Sequence, residues 1–405
     1  MKALFLHQNC PGQFKHLAPY LAADPANEVC FITQKGRPPL PGVKRIEYAP
    51  HRAVTPKIHP YLASTEAAIL NGQAVARVGF ELSNQGYRPD IIIGNPGWGE
   101  TLFLKDVWPD TPLITLSEFF YRGRGSDVGF DAEFDPGRDA ILRARARAAP
   151  LLLALDAADL SYAPTGWQRA QFPEAYQSKI RVIHDGIDTN LVRPNATASL
   201  TLSNGLRLTR DDEVVTYVSR NLEPYRGFHT FMRALPRLLD ARPDATIVVV
   251  GGDEVSYGSR PRKGGSWRDA LLAEVGPIPE RVIFTGRLSY TDFLSLMQVT
   301  SVHCYLTYPF VLSWSMLEAM AAGALVVGSR TPPVEEVIED GVNGVLTDFF
   351  DATALADTLA HVMETRYLRE PMRSAARATI TSRYALTSCL AQQIALIEEA
   401  INARK

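Results

Sequence analysis

Two arginines stand close together in the second half of the chain, just after a run of β-forming residues. Arg220 and Arg226 lie in the stretch 219–227, and Gly227 directly precedes a helical pattern. Two guanidinium groups at a helix N-terminus suit a diphosphate, because each can give paired, charge-assisted hydrogen bonds and the helix dipole adds to them. Ordinary solvated arginines in a surface loop are the alternative.

A single acid, Glu318, lies within the helical run Met316–Ala322. Gly323 ends this helix, and Leu325–Val327 predicts a strand directly after it. An acid in the first turns of a helix is favoured by the helix dipole, and a ligand can also reach it there. A helix cap or a satisfied core acid would give the same pattern, so the neighbouring loops must decide.

Two further loops of the second half follow predicted strands. Gly251 and Gly252 end one strand, and their lack of side chains lets the backbone approach a ligand closely. The segment 284–288 ends another strand with Arg287, where main-chain groups could hold the edge of a nucleobase. Together with Arg220 and Arg226, these positions predict a site for a phosphorylated nucleoside.

Three loops of the first half are unusual in the same way. Gly12 precedes a helix and could admit a phosphate or a sugar hydroxyl, although a Pro-Gly turn is common for structural reasons. Trp98 and Glu100, in 94–100, could line an acceptor cleft, or form a tight turn with an acid in the next helix. Glu118 and Tyr121, in 117–125, place a carboxylate before an aromatic and basic loop that suits a sugar or phosphate.

The elements that must position these residues alternate β-rich and helical runs. This pattern predicts an α/β protein with parallel, doubly wound sheets, in which ligands bind outside the carboxyl ends of strands. The strands are predicted at 2–6, 28–33, 45–48, 90–94, 113–116, 160–163, 180–183, 214–218, 245–250, 282–285, 302–305, 325–328 and 345–347, with a helix at 227–240.

Composition narrows the class of protein. The chain has 405 residues and 46% hydrophobic residues, which suits two α/β domains. Its net charge of -2 gives no general attraction for nucleic acid. Its 4 cysteines have no CxxC spacing, which favours free thiols in a reducing, cytoplasmic compartment. No apolar run has the length of a membrane span, while the basic segment around 143–147 leaves a peripheral membrane contact open.

Taken together, these motifs resemble the retaining glycosyltransferases of family 4. The first half resembles one subgroup of that family, and the stretch 184–188 resembles its interdomain Asn-Gly-Val-Asp turn. The residues that carry the resemblance are Arg220, Arg226 and Gly227, then Gly251 and Gly252, Phe284 and Gly286, the run 317–323 around Glu318, the run 97–100, and 118–121.

The resemblance implies the two-domain GT-B fold, with two Rossmann-like doubly wound domains that face each other across a cleft. Residues 1–175 would bind the acceptor and residues 176–384 the nucleotide sugar, with 385–405 as a terminal helix that crosses back to the first domain. The implied activity is retaining, metal-independent transfer of a hexose or related sugar from a nucleoside-diphosphate sugar, without a cofactor. The implied acceptor is a glycan, a lipid-linked or a small molecule, as in the biosynthesis of cell-surface polysaccharide or glycoconjugates.

The resemblance also implies roles for single residues. Arg220 and Arg226 would hold the diphosphate and stabilise the charge that grows on it, although the family usually has lysine at the second position. Glu318 would accept hydrogen bonds from the ribose hydroxyls, and Ser313 and Trp314 would lie in the loop that seats the donor sugar. Without an Asp-x-Asp motif to hold a divalent ion, the arginines and helix termini supply the positive charge.

Two positions depart from the family pattern. Phe310 stands where the first carboxylate of a Glu-x7-Glu motif is expected. Glu118 lies where many relatives have a histidine, and it is the candidate base if the departing phosphate does not itself take the acceptor proton.

Two other functional classes remain open from the sequence. Phe310 could indicate a catalytically silent protein that binds nucleotide sugars. Two Rossmann-like halves and the glycines at 94, 97 and 99 could indicate an NAD-dependent oxidoreductase, but their spacing is not that of a dinucleotide-binding fingerprint.

Overall fold

A computed structural model describes residues 1–403 and divides the chain into two compact units. The first unit comprises Met1–Gly186 together with the chain from Leu386 onward, and the second comprises Ile187–Ala385. The boundary lies later than the predicted one at 175, because the strand at 180–182 pairs with the first sheet. Residues 404 and 405 of the predicted terminal helix lie outside the described residues.

The first unit is a parallel sheet with helices on both faces. Its strands follow the order β3-β2-β1-β4-β5-β6-β7, and every pairing is parallel. Strands and helices are numbered along the whole chain. The elements of this unit are β1 Lys2–Leu6, β2 Glu28–Gln34, β3 Lys44–Tyr48, β4 Ile91–Gly94, β5 Leu113–Leu116, β6 Leu160–Ala163, β7 Ile180–Val182, α1 Leu17–Ala22, α2 Ala63–Asn84, α3 Leu104–Val107, α4 Arg138–Ala157, α5 Gly166–Gln171, α6 Glu174–Gln177 and α14 Leu386–Asn402.

Alternating side chains of the strands fill two cores in this unit. Phe5 of β1 packs with residues of α1 and with Ile397 of α14 on one face of the sheet. Leu4 packs with Val75 of α2 on the other face. This alternation is the two-residue period of a strand buried on both faces, which explains why β1 reads as a continuous apolar run.

The second unit contains another parallel sheet, with the strand order β12-β11-β10-β13-β14-β15. A short antiparallel hairpin, β8–β9, lies outside this sheet. The elements are β8 Ser199–Thr201, β9 Arg207–Thr209, β10 Val214–Asn221, β11 Thr246–Gly252, β12 Val282–Gly286, β13 Val302–Tyr305, β14 Leu325–Ser329, β15 Val345–Thr347, α7 Phe228–Ala241, α8 Trp267–Val275, α9 Tyr290–Val299, α10 Trp314–Ala322, α11 Pro332–Glu335, α12 Ala352–Glu364 and α13 Glu370–Arg383.

Parallel pairing brings the carboxyl ends of all these strands to one edge of the sheet, and the loops that follow β10, β11, β12 and β13 therefore share that edge. The predicted α/β class with two doubly wound sheets is confirmed. Within residues 1–403, no helix combines the length and the apolar composition needed to cross a bilayer.

Candidate functional site

The loop with the two arginines begins where β10 ends. It continues as a turn of 3₁₀ helix, Pro224–Arg226, and Gly227 then starts α7 with a φ of 68°. A Cβ at Gly227 would overlap the side chain of Leu306, so the left-handed conformation and this close packing both require glycine. The tight turn fixes the position of Arg226.

Arg226 is a buried cation with neutral partners. Its side chain is only 8% exposed. One terminal nitrogen donates to the hydroxyls of Tyr305 at 3.3 Å and Thr307 at 2.8 Å, and to the main-chain oxygen of Val311 at 2.9 Å. Among residues 1–403 no carboxylate forms a salt bridge with Arg226, so its positive charge is not cancelled by an acid of this loop.

Arg220, in contrast, is exposed at the end of β10. Neither an ion pair nor a side-chain hydrogen bond involves Arg220 among the described residues. The sheet edge therefore presents one fixed, buried cation and one exposed cation that can move to meet a ligand. This arrangement suits an anion, and diphosphate binding by the pair stays a prediction.

Glu223, between the two arginines, fixes a second loop. Its carboxylate is fully buried and accepts the main-chain N–H groups of Ser256, Tyr257 and Gly258 at 3.1, 3.2 and 2.9 Å. The Tyr257 ring then lies with its centroid 5.3 Å from the guanidinium carbon of Arg226. The acid thus holds an aromatic ring against the buried cation.

Phe310 is a second aromatic residue that packs beside the guanidinium group of Arg226. It is 9% exposed, and its ring centroid lies 4.8 Å from that of Tyr257 and 5.5 Å from that of Tyr225. The guanidinium carbon of Arg226 lies 5.6 Å from the same ring. At position 310 the family pattern has a carboxylate, whereas this chain has a buried aromatic ring.

The glycines after β11 lie beside the end of β10. A Cβ at Gly252 would lie 2.6 Å from Asn221 Oδ1 and 3.3 Å from Arg287 Nε, and Gly251 is packed against Leu222. Arg287 is exposed and donates to Asn221 Oδ1 at 3.3 Å. The structure thus brings Gly252 and Arg287 together, and their role in binding a nucleotide stays a prediction.

Helix α10 carries Glu318 at the same sheet edge. Ser313 is its N-cap: the hydroxyl accepts from the main-chain N–H of Ser315, while the N–H of Ser313 donates to the hydroxyl of Tyr305. Trp314 is the first helical residue and packs partly buried against the core.

Glu318 is held in place by a tyrosine of α9. Its side chain is 6% exposed, and Oε1 accepts a hydrogen bond from the hydroxyl of Tyr290 at 2.7 Å. Tyr290 is 47% exposed. Burial and the nearby Glu318 raise the pKa of Tyr290, so this hydroxyl stays protonated and donates.

Two arginines of α13 bind the last carbonyls of α10. Arg373 donates to the main-chain oxygen of Gly323, and Arg377 donates to that of Ala321 at 2.5 Å. Cations at a helix C-terminus meet its negative dipole end, so these contacts anchor the helix that carries Glu318.

In the first unit, Glu118 follows β5 and is half-buried. Its Oε1 accepts from the amide nitrogen of Gln13 at 2.7 Å, and its Oε2 accepts from that of Asn95 at 3.1 Å. The amide of Gln168 donates to the main-chain oxygen of Glu118 at 2.5 Å. Two amide side chains therefore bind this carboxylate, and a third binds the main chain of the same residue.

His7 connects Gly12 and Trp98 to Glu118. The carboxyl end of β1 places His7 with its ring centroid 5.1 Å from that of Trp98 and its Nε2 2.7 Å from Gln13 Oε1. A Cβ at Gly12, whose φ is 53°, would overlap the His7 ring. Gly12 is thus needed for packing beside Glu118, and donor binding by this glycine stays a prediction.

Tyr121 lies under an arginine of α4. The guanidinium carbon of Arg147 is 3.9 Å from its ring centroid. The ring of Phe119 lies 5.4 Å away, edge-on. Tyr121 and Trp98 keep aromatic surface near Glu118, and their contact with an acceptor stays a prediction.

Glu100, which was predicted to line an acceptor cleft or to lie in a tight turn, is buried in the structure. Glu100 is 0% exposed, and its Oε1 accepts a hydrogen bond from the hydroxyl of Tyr48 at 2.6 Å. Burial raises the pKa of Glu100 to about 7. Glu100 is a core acid beside Tyr48, the last residue of β3, and a ligand at the surface does not reach it.

Sequence reasoning missed several residues that shape both units. Three of them, His7, Asn95 and Glu223, lie directly after a strand or in the loop that follows one, and the carboxyl-end rule could have drawn attention to them. Nothing local in the sequence indicates the contacts made by Gln13, Gln168, Tyr257 or Tyr290.

Comparison with known proteins gives two family matches. Residues 25–192 match the family described as glycosyl transferase family 4 group, and residues 202–379 match glycosyl transferases group 1. The D-inositol 3-phosphate glycosyltransferase of Mycobacterium tuberculosis is 27% identical over 188 residues, which is 46% of this chain and 36% of that protein. The chain therefore spans about a third of the length of the curated relatives it matches.

Solved structures share the fold over nearly the whole chain. Sucrose-phosphate synthase from Thermosynechococcus elongatus superposes with a TM-score of 0.77 at 17% identity, with 100% of both chains covered. Anabaena HepE in complex with UDP-glucose superposes with a TM-score of 0.69 at 20% identity, also with 100% of both chains covered. With both halves matched by the family and the GT-B fold shared, the chain belongs to the glycosyltransferases of family 4.

Proposed function

We propose that this protein transfers a sugar from a nucleoside-diphosphate sugar to a hydroxyl group of a glycan, a lipid-linked or a small-molecule acceptor. The observation that carries this proposal is the pair Arg220 and Arg226. A buried cation with neutral partners, next to an exposed cation, favours a ligand with two adjacent anionic groups, as in a diphosphate. The UDP-glucose in the HepE complex supports the same class of donor.

The second unit holds the donor in this proposal. Arg226 and Arg220 bind the diphosphate, Glu318 accepts hydrogen bonds from the ribose hydroxyls, and Arg287 with the glycines at 251 and 252 lies beside the nucleoside. Ser313 and Trp314 lie near the sugar. The Tyr290 hydroxyl already donates to Glu318, which supports an accepting carboxylate at that position.

The reaction moves the sugar without loss of its anomeric configuration. The bond between C1 of the sugar and the diphosphate oxygen breaks, and its electron pair stays on the diphosphate, whose growing charge the two arginines stabilise. The acceptor oxygen forms a new bond to C1 on the same face. Two guanidinium groups can supply the charge that a divalent ion supplies in enzymes with an Asp-x-Asp motif, so we propose that transfer is metal-independent.

The first unit holds the acceptor in this proposal. Glu118 is the candidate base for the acceptor hydroxyl, and the rings of Trp98 and Tyr121 offer apolar surface on which a sugar or lipid acceptor can pack. The four cysteines of the chain are all free and buried, which supports a reducing, cytoplasmic setting. Contact with the inner face of a membrane would bring a lipid-linked acceptor within reach.

Phe310 favours one alternative, a catalytically silent protein that binds nucleotide sugars. An apolar ring gives a sugar hydroxyl no hydrogen-bond partner, so loss of the carboxylate could leave binding without transfer. The two possibilities differ in their products. Binding of a sugar nucleotide with neither transfer nor hydrolysis would favour the silent protein.

A donor panel followed by one substitution tests the proposal. UDP-, GDP-, ADP- and TDP-sugars are compared by thermal shift, because a ligand of the folded state raises its stability. The best donor is then offered, radiolabelled, with candidate acceptors. We expect Arg220→Ala to lose transfer and keep its fold. Arg207→Ala, which removes an exposed arginine of the hairpin β8–β9, is the matched control and keeps the rate. An unchanged rate in Arg220→Ala would refute the diphosphate assignment.

A further inference from the structure

A continuous chain of hydrogen bonds ends on Glu118 in the first unit. It begins at His7, whose Nε2 lies 2.7 Å from Gln13 Oε1, and Gln13 Nε2 lies 2.7 Å from Glu118 Oε1. Asn95 Nδ2 reaches the other carboxylate oxygen at 3.1 Å. The direction of each bond can be worked out, because two of the side chains also bind main-chain N–H groups.

The tautomer of His7 is fixed by the main chain. The N–H of Asn9 donates to His7 Nδ1 at 2.8 Å, which makes Nδ1 an acceptor. Burial lowers the pKa of His7 to about 4, so the ring is neutral near pH 7 and carries its proton on Nε2. Nε2 therefore donates to Gln13 Oε1. The amide nitrogen of Gln13 then faces Glu118 and donates to it.

The orientation of Asn95 is fixed in the same way. The main-chain N–H of Gly97 donates to Asn95 Oδ1 at 2.9 Å, as the cap of the 3₁₀ turn Pro96–Trp98. The amide nitrogen of Asn95 must then point to the other side, where Glu118 Oε2 accepts from it. Both carboxylate oxygens thus receive a hydrogen bond whose direction is set by a main-chain N–H.

We infer that His7, Gln13 and Asn95 are positioning residues. They hold Glu118 as a carboxylate ion with both oxygens fixed, ready to take the proton of an acceptor hydroxyl. This inference rests on the proposed function and deepens it, because it assigns the charge state and the support of the base.

Two amide donors reach the Glu118 carboxylate, one at each oxygen. Hydrogen bonds donated to a carboxylate favour its charged form. Tyr121 and Tyr162 interact with the charge of Glu118, His7 reaches it through Gln13, and burial raises the pKa of both tyrosines and lowers that of the histidine. All three are therefore neutral near pH 7. Arg147 lies beyond the ring of Tyr121.

The proton balance of the step is simple. As the acceptor oxygen bonds to C1 of the sugar, its O–H bond breaks and the proton passes to Glu118. The electron pair of the broken bond between C1 and the phosphate oxygen leaves with the nucleoside diphosphate. Glu118 then returns its proton to solvent, and no further reactant is needed.

The test measures the pKa of Glu118 directly, by a carbon-13 NMR titration of the glutamate side chains in the full chain. The Glu118 signal is assigned with Glu118→Gln. Gln13→Met removes one charge-assisted donor, and we expect the pKa of Glu118 to rise by about one unit or more. Gln8→Met is the matched control, since the side-chain oxygen of Gln8 has no hydrogen-bond partner among residues 1–403 and its loss leaves the titration unchanged.

A second variant and a second readout separate positioning from folding. Asn95→Asp keeps the oxygen that caps Gly97 but replaces the donor to Glu118 by an acceptor, so the same upward shift is expected. In both variants the acid limb of the pH profile of kcat/KM for the acceptor moves to higher pH, while the KM for the donor stays constant.

The two hypotheses fail in different ways. An unshifted Glu118 signal in both variants overturns the positioning role, whether or not the chain transfers sugar. A shifted signal supports that role. If the wild-type chain with such a signal transfers no sugar to any acceptor, the proposed function alone is refuted.

Discussion

Replacing Glu100 by glutamine is expected to stabilise the protein at neutral pH. The carboxyl group is fully buried and has a pKa of about 7, against an ordinary value of 4.5. In the unfolded chain this acid ionises above pH 4.5, whereas the folded protein keeps its proton until about pH 7. Folding is therefore penalised increasingly as pH rises from 4.5 to 7, and the penalty is constant above that range.

The magnitude follows from the shift. A difference of about 2.5 units at about 1.36 kcal/mol each gives a penalty of about 3 kcal/mol at pH 8 and of about 1 kcal/mol at pH 5. Glutamine cannot ionise, and its side-chain oxygen still accepts from the hydroxyl of Tyr48. The gain in free energy of unfolding for Glu100→Gln should therefore grow by about 2 kcal/mol between these two pH values.

The assay is urea denaturation of both full chains from pH 5 to pH 8. Other titrating groups are common to the two proteins and cancel in the difference. Glu81→Gln, an exposed acid on α2, is the control and should differ from the wild type by no more than about 0.5 kcal/mol at any pH. A Glu100→Gln difference that stays constant over the pH range would refute the reasoning.

Two further predictions concern the second unit. Glu223→Gln replaces a carboxylate that accepts three main-chain N–H groups, so the loop that carries Tyr257 should loosen and the donor KM should rise by about tenfold or more, measured in initial-rate assays. Glu254→Gln, in the exposed part of the same loop, should leave that KM unchanged. Burial lowers the pKa of His303 to about 4 from 6.5, so the folded state loses stability as pH falls from 6.5 towards 4. His303→Asn should reduce this loss by about 3 kcal/mol, whereas the exposed His51→Asn should leave it unchanged. The free energy of unfolding is measured by urea denaturation at several pH values, and the same pH dependence in His303→Asn as in the wild type would contradict the assignment.

The strands could be predicted from the sequence because both sheets are parallel and covered on both faces. Segments such as 91–94 and 247–250 are continuous apolar runs, and burial on two faces requires this pattern. The hairpin β8–β9 was missed because its strands are short and only partly buried. Asn204 and Gly205, which lie between these strands, were the available signal.

The candidate site could be predicted in part. Arg226 could be singled out because two arginines share one loop directly before a helix, and Glu318 because it is the one acid in an otherwise apolar helical run. The burial of Glu100 could not be predicted because its partner, Tyr48, lies on β3, and no local pattern connects the two positions. His7 and Asn95 escaped notice because a tautomer and an amide orientation depend on main-chain N–H groups that only the folded loops bring into range.

Arg226 packs against Phe310, the residue that replaces the first carboxylate of the family motif. This contact explains how the buried cation can be kept although that carboxylate is absent. A buried guanidinium without a carboxylate costs several kcal/mol unless its N–H groups are bonded, and here two hydroxyls and a main-chain oxygen accept from it. The rings of Phe310 and Tyr257 add a favourable interaction without cancelling its charge. A carboxylate at 310 would neutralise part of that charge, whereas an aromatic ring leaves it available to a phosphate. Under the proposed function, loss of the acid is therefore compatible with binding of the diphosphate at Arg226, and the expected consequence is one hydrogen-bond partner fewer for the donor sugar.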